Sequence, residues 1–380
     1  MSEARIYLDH AATTPLRAEA RAAMEPFLGS LCFGNPSSLH WDGQQARRAL
    51  DSARDVLAQA LGAQFSEVTF TGGGTESDNA ALMGVMLASR GRGSHLVTTQ
   101  IEHEAVLRTA GFLETLGFDV TYLAPDSDGV VAPEQVRDAL TPRTTLVSVM
   151  HANNEVGTIQ DIQAIADVAH GGGALLHTDA VQTFGQCAVN VQDLGVDLLS
   201  VSAHKIYGPK GAGALYVKDG LAIEPLLHGG GQERGRRAGT ENVAAIAGFA
   251  QAVRCLLGER DETAARMTTL RDGLIASLRR RLPNVKLNGH EAKRLPNSVN
   301  VSLPGADAET LLLALDMAGV SASSGSACTA GSIEPSHVLR AMGLEEWRTQ
   351  SALRLSLGRD TTEAEIGRVV EIVAGLAGRG

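Results

Sequence analysis

Lys205 is the residue whose type and place first suggest chemistry. The stretch Val196-Asp197-Leu198-Leu199-Ser200-Val201 is short, apolar and partly β-branched, which reads as a buried strand. It runs into Ser202-Ala203-His204-Lys205 and then into a turn, Gly208-Pro209-Lys210-Gly211. In open α/β sheets, ligands lie outside the carboxyl ends of the strands. An amine at such an end, beside a serine and a histidine, suits a Schiff base next to a bound phosphate. Taken alone, this residue reads better as a solvated loop lysine, because charged side chains are mostly exposed. The elements around it must decide.

Those elements alternate. Val68-Thr69-Phe70-Thr71 reads as a strand, followed by Gly72-Gly73-Gly74-Thr75-Glu76-Ser77 and a helix to about Ser89. Glycines let a backbone approach a ligand, and a new helix offers free N–H groups at its positive end. The turn is therefore a candidate phosphate cradle, although it has neither Walker nor Rossmann spacing. Apolar runs at 95–99, 119–123, 144–150 and 174–179 read as strands, and 104–116 and 162–169 as helices. His103, Asn154, Asp179, Gln182, His204 and Lys205 all fall after the ends of such runs. The pattern predicts a mostly parallel sheet with helices on both faces.

The flanking chain completes two units. Residues 6–15 read as a short strand and turn, Gly34-Asn35-Pro36-Ser37-Ser38 as a loop, and 42–61 as a helix ended by Gly62. A strand at 211–217 precedes a polar, glycine-rich loop at 228–240, then helices at 241–258 and 262–281. The boundary between a large and a smaller α/β unit is expected around those two helices. The second unit holds a strand at 297–303, a helix at 308–317, a flexible segment at 321–332 and a helix starting near Pro335. A strand at 353–357 and a last helix from Thr362 complete it.

Composition narrows the functions. The 380 residues suffice for two domains, and the net charge of -10 argues against nucleic acid as the main partner. No apolar run approaches the roughly 20 residues that span a bilayer, and residues 1–9 lack leader character, so a cytoplasmic protein is expected. Cys32, Cys187, Cys255 and Cys328 form no CxxC pair. The first three read as ordinary thiols. Cys328 sits in Ser324-Gly325-Ser326-Ala327-Cys328-Thr329-Ala330-Gly331, a poor core segment, and reads as a nucleophile. His103-Glu104 and His177-x-Asp179 fit no zinc pattern, and no structural metal is expected.

Several stretches together carry a family resemblance. They include Tyr7-Leu8-Asp9-His10-Ala11-Ala12-Thr13-Thr14-Pro15, Gly74-Thr75-Glu76-Ser77-Asp78-Asn79, Asn153-Asn154-Glu155 and Asp179-Ala180-Val181-Gln182. Gly34-Asn35-Pro36-Ser37-Ser38, Glu102-His103, Ser202 through Gly211, Gly229-Gly230-Gly231-Gln232-Glu233-Arg234-Gly235 and Ser324 through Cys328 complete the set. The sequence resembles the cysteine desulfurases, pyridoxal-phosphate enzymes of the class V aminotransferase group. The serine-rich surroundings of Cys328 resemble the long-loop subgroup, which serves nitrogenase or general iron–sulfur assembly. Selenocysteine lyases and other class V lyases or aminotransferases are the alternative within the group.

The resemblance implies a fold-type I α/β enzyme. Residues 16–258 would form the large cofactor-binding domain; 1–15 and 259–380 would form the small domain carrying Cys328. It implies pyridoxal 5′-phosphate as cofactor, L-cysteine as substrate, a homodimer, and an iron–sulfur scaffold or other sulfur acceptor as partner. Lys205 would hold the cofactor and carry the Cα proton. Asp179 would face the pyridinium nitrogen, Gln182 the ring hydroxyl, and His103 the ring face as an acid–base group. Gly74, Thr75, Ser202 and His204 would hold the phosphate, with Thr240 reaching it across the dimer interface. Asn154 would contact both cofactor and substrate, and Asn35 and Arg354 the substrate. Cys328 would become the persulfide and serve as a transient iron–sulfur ligand. Some relatives dock the scaffold through a longer C-terminal tail, which is expected to be absent here.

Overall fold

The apolar runs of the first 220 residues assemble into one seven-stranded sheet. The structure, a computed structural model, describes residues 5–91, 93–325 and 335–377. The strands are β1 (Ile6–Tyr7), β2 (Val68–Thr71), β3 (His95–Thr99), β4 (Asp119–Leu123), β5 (Thr144–Ser148) and β6 (Leu175–Asp179). They continue with β7 (Leu198–Ser202), β8 (Gly213–Val217), β9 (Lys286–Leu287), β10 (Ser298–Ser302), β11 (Val320–Ser321) and β12 (Ala352–Ser356). The large sheet has the order β2-β8-β7-β6-β5-β3-β4. Only β8 runs against its neighbours, so the other six strands end at one edge. β7 is buried along its whole length, as an uninterrupted apolar run requires when helices cover both faces.

The described helices are α1 (Ala18–Met24), α2 (Trp41–Leu61), α3 (Gly74–Ala88), α4 (Glu104–Thr115), α5 (Pro133–Ala139) and α6 (Ile162–Gly171). They continue with α7 (Val191–Leu194), α8 (Val243–Arg281), α9 (Ala308–Met317), α10 (His337–Ala341), α11 (Glu346–Gln350) and α12 (Glu363–Ala377). Chain direction along the sheet switches between β3 and β5: the chain moves outward to β4 on one side and to β6 and β7 on the other. Such a switch point opens a crevice at the carboxyl edge.

A second sheet, β12-β10-β9, is antiparallel, and β1 pairs in parallel with β11. Its apolar cluster joins Ile6 and Leu8 to Leu274, Leu278, Val299 and Leu355. The expected pair of helices at 241–258 and 262–281 is a single helix, α8, of 39 residues. Gly258 does not break it: one helical glycine costs only about 1 kcal/mol, and the polar residues Glu259 to Glu262 stay on the helix. The division expected at residue 258 thus falls inside a helix. Its first half packs Ile246, Phe249 and Val253 into the large cluster, and its second half joins the smaller one.

The segment expected to be flexible from residue 321 is tied down at its start. Ser323 and Arg354 exchange backbone hydrogen bonds of 3.2 and 2.6 Å. Cys328 lies outside the described residues.

Candidate active site

The carboxyl edge of the sheet gathers the polar residues around one cavity of ≈ 230 Å³. Gly74, Thr75, His103, Asn154, Asp179, Gln182, Ser202, His204 and Lys205 all line it. A wider recess of ≈ 680 Å³ continues from it past Gly72, Gly73, Thr75, Ser202 and His204 to Lys210.

Lys205 arrives there through a tight turn. β7 ends at Ser202, a single 3₁₀ turn covers Ala203–Lys205, and Tyr207 follows with φ 63°. That left-handed conformation is costly for a residue with a Cβ. It is held by Thr14, whose Oγ1 accepts from Tyr207 N at 2.7 Å, and by Arg17 N, which donates to Tyr207 O at 3.0 Å. The Lys205 amine donates to the carbonyl oxygens of Ala11 and, at 2.8 Å, Ala12. Burial, and then the nearby Arg354 guanidinium, push its pKa down to about 8, against the pull of Asp179 and Asp9. The neutral, nucleophilic amine is therefore a minor form near neutral pH, about a tenth of the total, but far more abundant than for an ordinary lysine.

Asp179 ends β6 and is buried. One of its oxygens accepts from Val181 N at 2.8 Å. Burial raises its pKa, while His103 and Lys205 pull it down. Gln182, three residues on, donates to Ala11 O at 2.9 Å. His103 caps α4, where its Nδ1 accepts from Ala105 N at 3.1 Å. That leaves Nε2 as the protonated nitrogen of the neutral ring. His204 Nδ1 lies 3.2 Å from Thr13 Oγ1, and burial, then Lys205 and Lys210, lower its pKa to about 4 in the ligand-free protein.

The glycine turn is shaped for close approach. Gly73 adopts φ 149°, and a Cβ added to Gly74 would stand 2.8 Å from Val181 Cγ2. Gly74, Thr75 and Glu76, the first residues of α3, line the recess, and the first N–H groups of a helix have no helical acceptor.

Two expected residues lie elsewhere in this chain. Asn35 is exposed and its Oδ1 accepts from Ser37 N at 2.9 Å. Thr240 is exposed at the end of the 228–240 loop, away from the cavity lining. Arg354 is not among the lining residues but contacts one of them: it donates to Asn154 O at 3.0 Å and pairs with Asp9 at 2.7 Å.

A family model described as aminotransferase class-V matches residues 6–369. The chain belongs to the class V aminotransferase family. It is 48% identical over 368 residues to a cysteine desulfurase IscS of Dictyoglomus turgidum, covering 97% of this chain and 93% of the relative. A solved NifS-like protein superposes with a TM-score of 0.93 at 37% identity, covering 99% of this chain and all of that one. A structure described as SspA in complex with cysteine gives 0.82 at 37% identity, covering 94% of this chain and 100% of that one.

The cofactor of these enzymes is pyridoxal 5′-phosphate, and the cavity fits it. Ser202 Oγ and Asn154 Oδ1 are buried without hydrogen-bond partners among the described residues, and both residues line the cavity. Such orphaned atoms are costly unless a ligand satisfies them. Gly74 leaves room where a side chain would collide, and the start of α3 suits a phosphate.

Sequence reasoning missed three features. The carbonyls of Ala11 and Ala12 that receive Lys205 come from a segment 193 or 194 residues away and carry no side-chain signal. Met150 lines the cavity as one more apolar strand-end residue. Asp78 also lines it, and its signal was readable: an acid in the first turns of a helix that continues Ala80-Ala81-Leu82. Among the described residues, no cluster of three or more His, Cys, Asp or Glu is placed to hold a metal, and no helix is long and apolar enough to cross a membrane.

Proposed function

We propose that the protein is a cysteine desulfurase that moves the sulfur of L-cysteine onto Cys328 and releases L-alanine. One observation carries the reading: a half-buried lysine and a buried aspartate share a cavity with unpartnered polar atoms of Ser202 and Asn154, in a chain 48% identical to a cysteine desulfurase. The bound cofactor would supply an electron sink that acidifies the substrate Cα–H and weakens the Cβ–S bond. Lys205 would hold it covalently and, once freed by the incoming substrate amine, carry the Cα proton. Its lowered pKa near 8 suits both tasks. Asp179 would keep the ring nitrogen protonated, and Gln182 would bond the ring hydroxyl. His103 would cover the ring face. Gly74, Thr75, Ser202, His204 and Thr240 of a second copy would bind the phosphate. Arg354 suits the substrate carboxylate, being a planar fork whose Nε has no partner among the described residues. Asn35 and Asn154 would complete the substrate site.

The Cys328 thiolate would attack the substrate sulfur. As the new S–S bond forms, the Cβ–S electron pair stays with carbon, which takes a proton and leaves as alanine. The persulfide sulfur would then pass to an iron–sulfur scaffold or another acceptor protein. A cytoplasmic homodimer matches the reduced thiol and the crossing Thr240. Holoenzyme turning over L-cysteine is expected to yield alanine and a persulfide on Cys328, read by mass spectrometry. Cys328→Ala is expected to keep the bound-cofactor absorbance and lose both products. Undiminished alanine formation by that variant sinks the proposal.

A further inference from the structure

The floor of the cavity carries a second carboxyl, one the roles above leave unused. Asp78 stands in the first turns of α3, is 1% exposed, and lines the cavity with Asp179. Its Oδ1 is buried and has no hydrogen-bond partner among the described residues. Several elements surround it. β6 contributes Asp179 and His177, whose Nε2 is 3.7 Å from Asp78 Oδ1, too far for a hydrogen bond. β7 contributes the Ser200 hydroxyl, and the turn before α4 contributes Glu102. His103 and Lys205 act on the far partner, Asp179.

None of these neighbours is a counter-charge for Asp78. His177 is fully buried, with Ser148 Oγ at 2.9 Å from one ring nitrogen and Ser200 Oγ at 3.0 Å from the other. Burial pushes its pKa to about 3, so the ring is neutral. Among the described residues, no lysine or arginine forms an ion pair with Asp78 or Asp179. Two buried carboxyls in mutual reach cannot both ionise without a cation. A protonated cofactor ring nitrogen brings a single positive charge, and one carboxylate satisfies it. Burial, then Asp179, then Glu102 push the Asp78 pKa well above the ordinary range.

We propose that Asp78 is a positioning residue: a carboxyl that keeps its proton at neutral pH and so leaves Asp179 as the single negative charge available to the cofactor's ring nitrogen. The proposal rests on the cofactor reading above. It is a neutral hydrogen-bonding group in the floor, and an amide of the same shape serves as well as the acid.

Two measurements on the full chain test it. Infrared difference spectra of wild type against Asp78→Asn, taken on apo-protein and holoenzyme at neutral pH, are expected to show the loss of a protonated-carboxyl C=O band. Loss of ionised-carboxylate bands instead overturns the proposal. In holoenzyme, the pH midpoint of the bound-cofactor absorbance is expected to stay within about 0.3 unit in D78N. In Asp78→Ala it is expected to move by about one unit or more, a tenfold change. A one-unit shift in D78N, or an unmoved midpoint in a folded D78A, overturns it. Should D78A not fold, the D78N and infrared results decide. Wild-type protein that gains no absorbance band with pyridoxal phosphate fails the cofactor reading, whereas the apo-protein infrared result still judges the protonation of Asp78.

Discussion

Glu233 and Asp179 are both 6% exposed, yet their surroundings are opposite. Glu233 is saturated by the protein itself. Arg54 grips both its oxygens at 2.6 and 2.7 Å, and Phe70 N donates to one of them at 2.8 Å. The Arg54 guanidinium in turn lies 4.8 Å above the Phe70 ring. This anchor holds Glu233 and Arg234 in left-handed conformations, φ 46° and 58°, at the base of the loop that ends in Thr240. Asp179 has one backbone donor and no arginine. A structural carboxylate is completed by its own chain; one kept for a ligand is buried with part of its bonding capacity unused. The second state is costly for the empty protein, which is a reason to look for the missing partner.

The sharpest way to break this contrast is Asp179→Asn. Activity is expected to fall by about 1,000-fold, the upper end of what removing one preorganised electrostatic partner costs. Stability is expected to move the other way. The Asp179 pKa is raised in the folded protein above its usual 3.8, so ionisation penalises folding as the pH climbs through and above that value. D179N removes the penalty: the apo-protein should be at least as stable as wild type at pH 7, with the gain vanishing near pH 3. Urea unfolding at the two pH values checks this, and a clear loss at pH 7 would make Asp179 a structural group like Glu233.

Glu233→Ala should show the converse. It strands the buried Arg54 charge and is expected to cost about 3–5 kcal/mol. Turnover per folded, cofactor-loaded molecule should remain within about two-fold, because neither residue lines the cavity. A holoenzyme of normal stability and lost turnover would erase the distinction.

The smallest effect sharpens the site side alone. Lys205 has its pKa lowered from 10.5 to about 8, so the reactive neutral amine is the minor form below pH 8. Capture of pyridoxal phosphate by apo-protein should quicken about tenfold per unit up to that pH and then level. Stopped-flow absorbance measures it; a flat profile between pH 6.5 and 8.5 would mean that the amine is already neutral throughout.

Much of the site was legible because it is written at strand ends. Asp179, Ser202 and Lys205 each follow an apolar run, and a parallel sheet must bring such ends to one edge. What stayed hidden depends on contacts between distant segments. The continuity of α8 was obscured because a polar stretch reads like a loop, yet an exposed helical turn tolerates the same residues. The grip of Arg54 on Glu233 spans 179 residues; before the fold is known, both look like ordinary solvated charges. Asn35 and Thr240 are exposed and away from the cavity lining, so the fold of one chain gives them no part in the site.

The two carbonyls that receive Lys205 belong to a segment with an unusual history. Residues 6–8 pair with Val320 and Ser321, and Leu8 O accepts from Ser356 N at 2.7 Å. Ala11 and Ala12 are thus made well before the strand that supports them, which follows about 340 residues later. At about 5–20 residues per second, that wait lasts roughly 20–70 s. During it the sheet can form and Lys205 can reach its turn, while the carbonyls that should receive its amine still hang from an unpaired strand. The pocket therefore closes only once residue 356 has been made, and a nascent chain halted before it should present Lys205 without its acceptors.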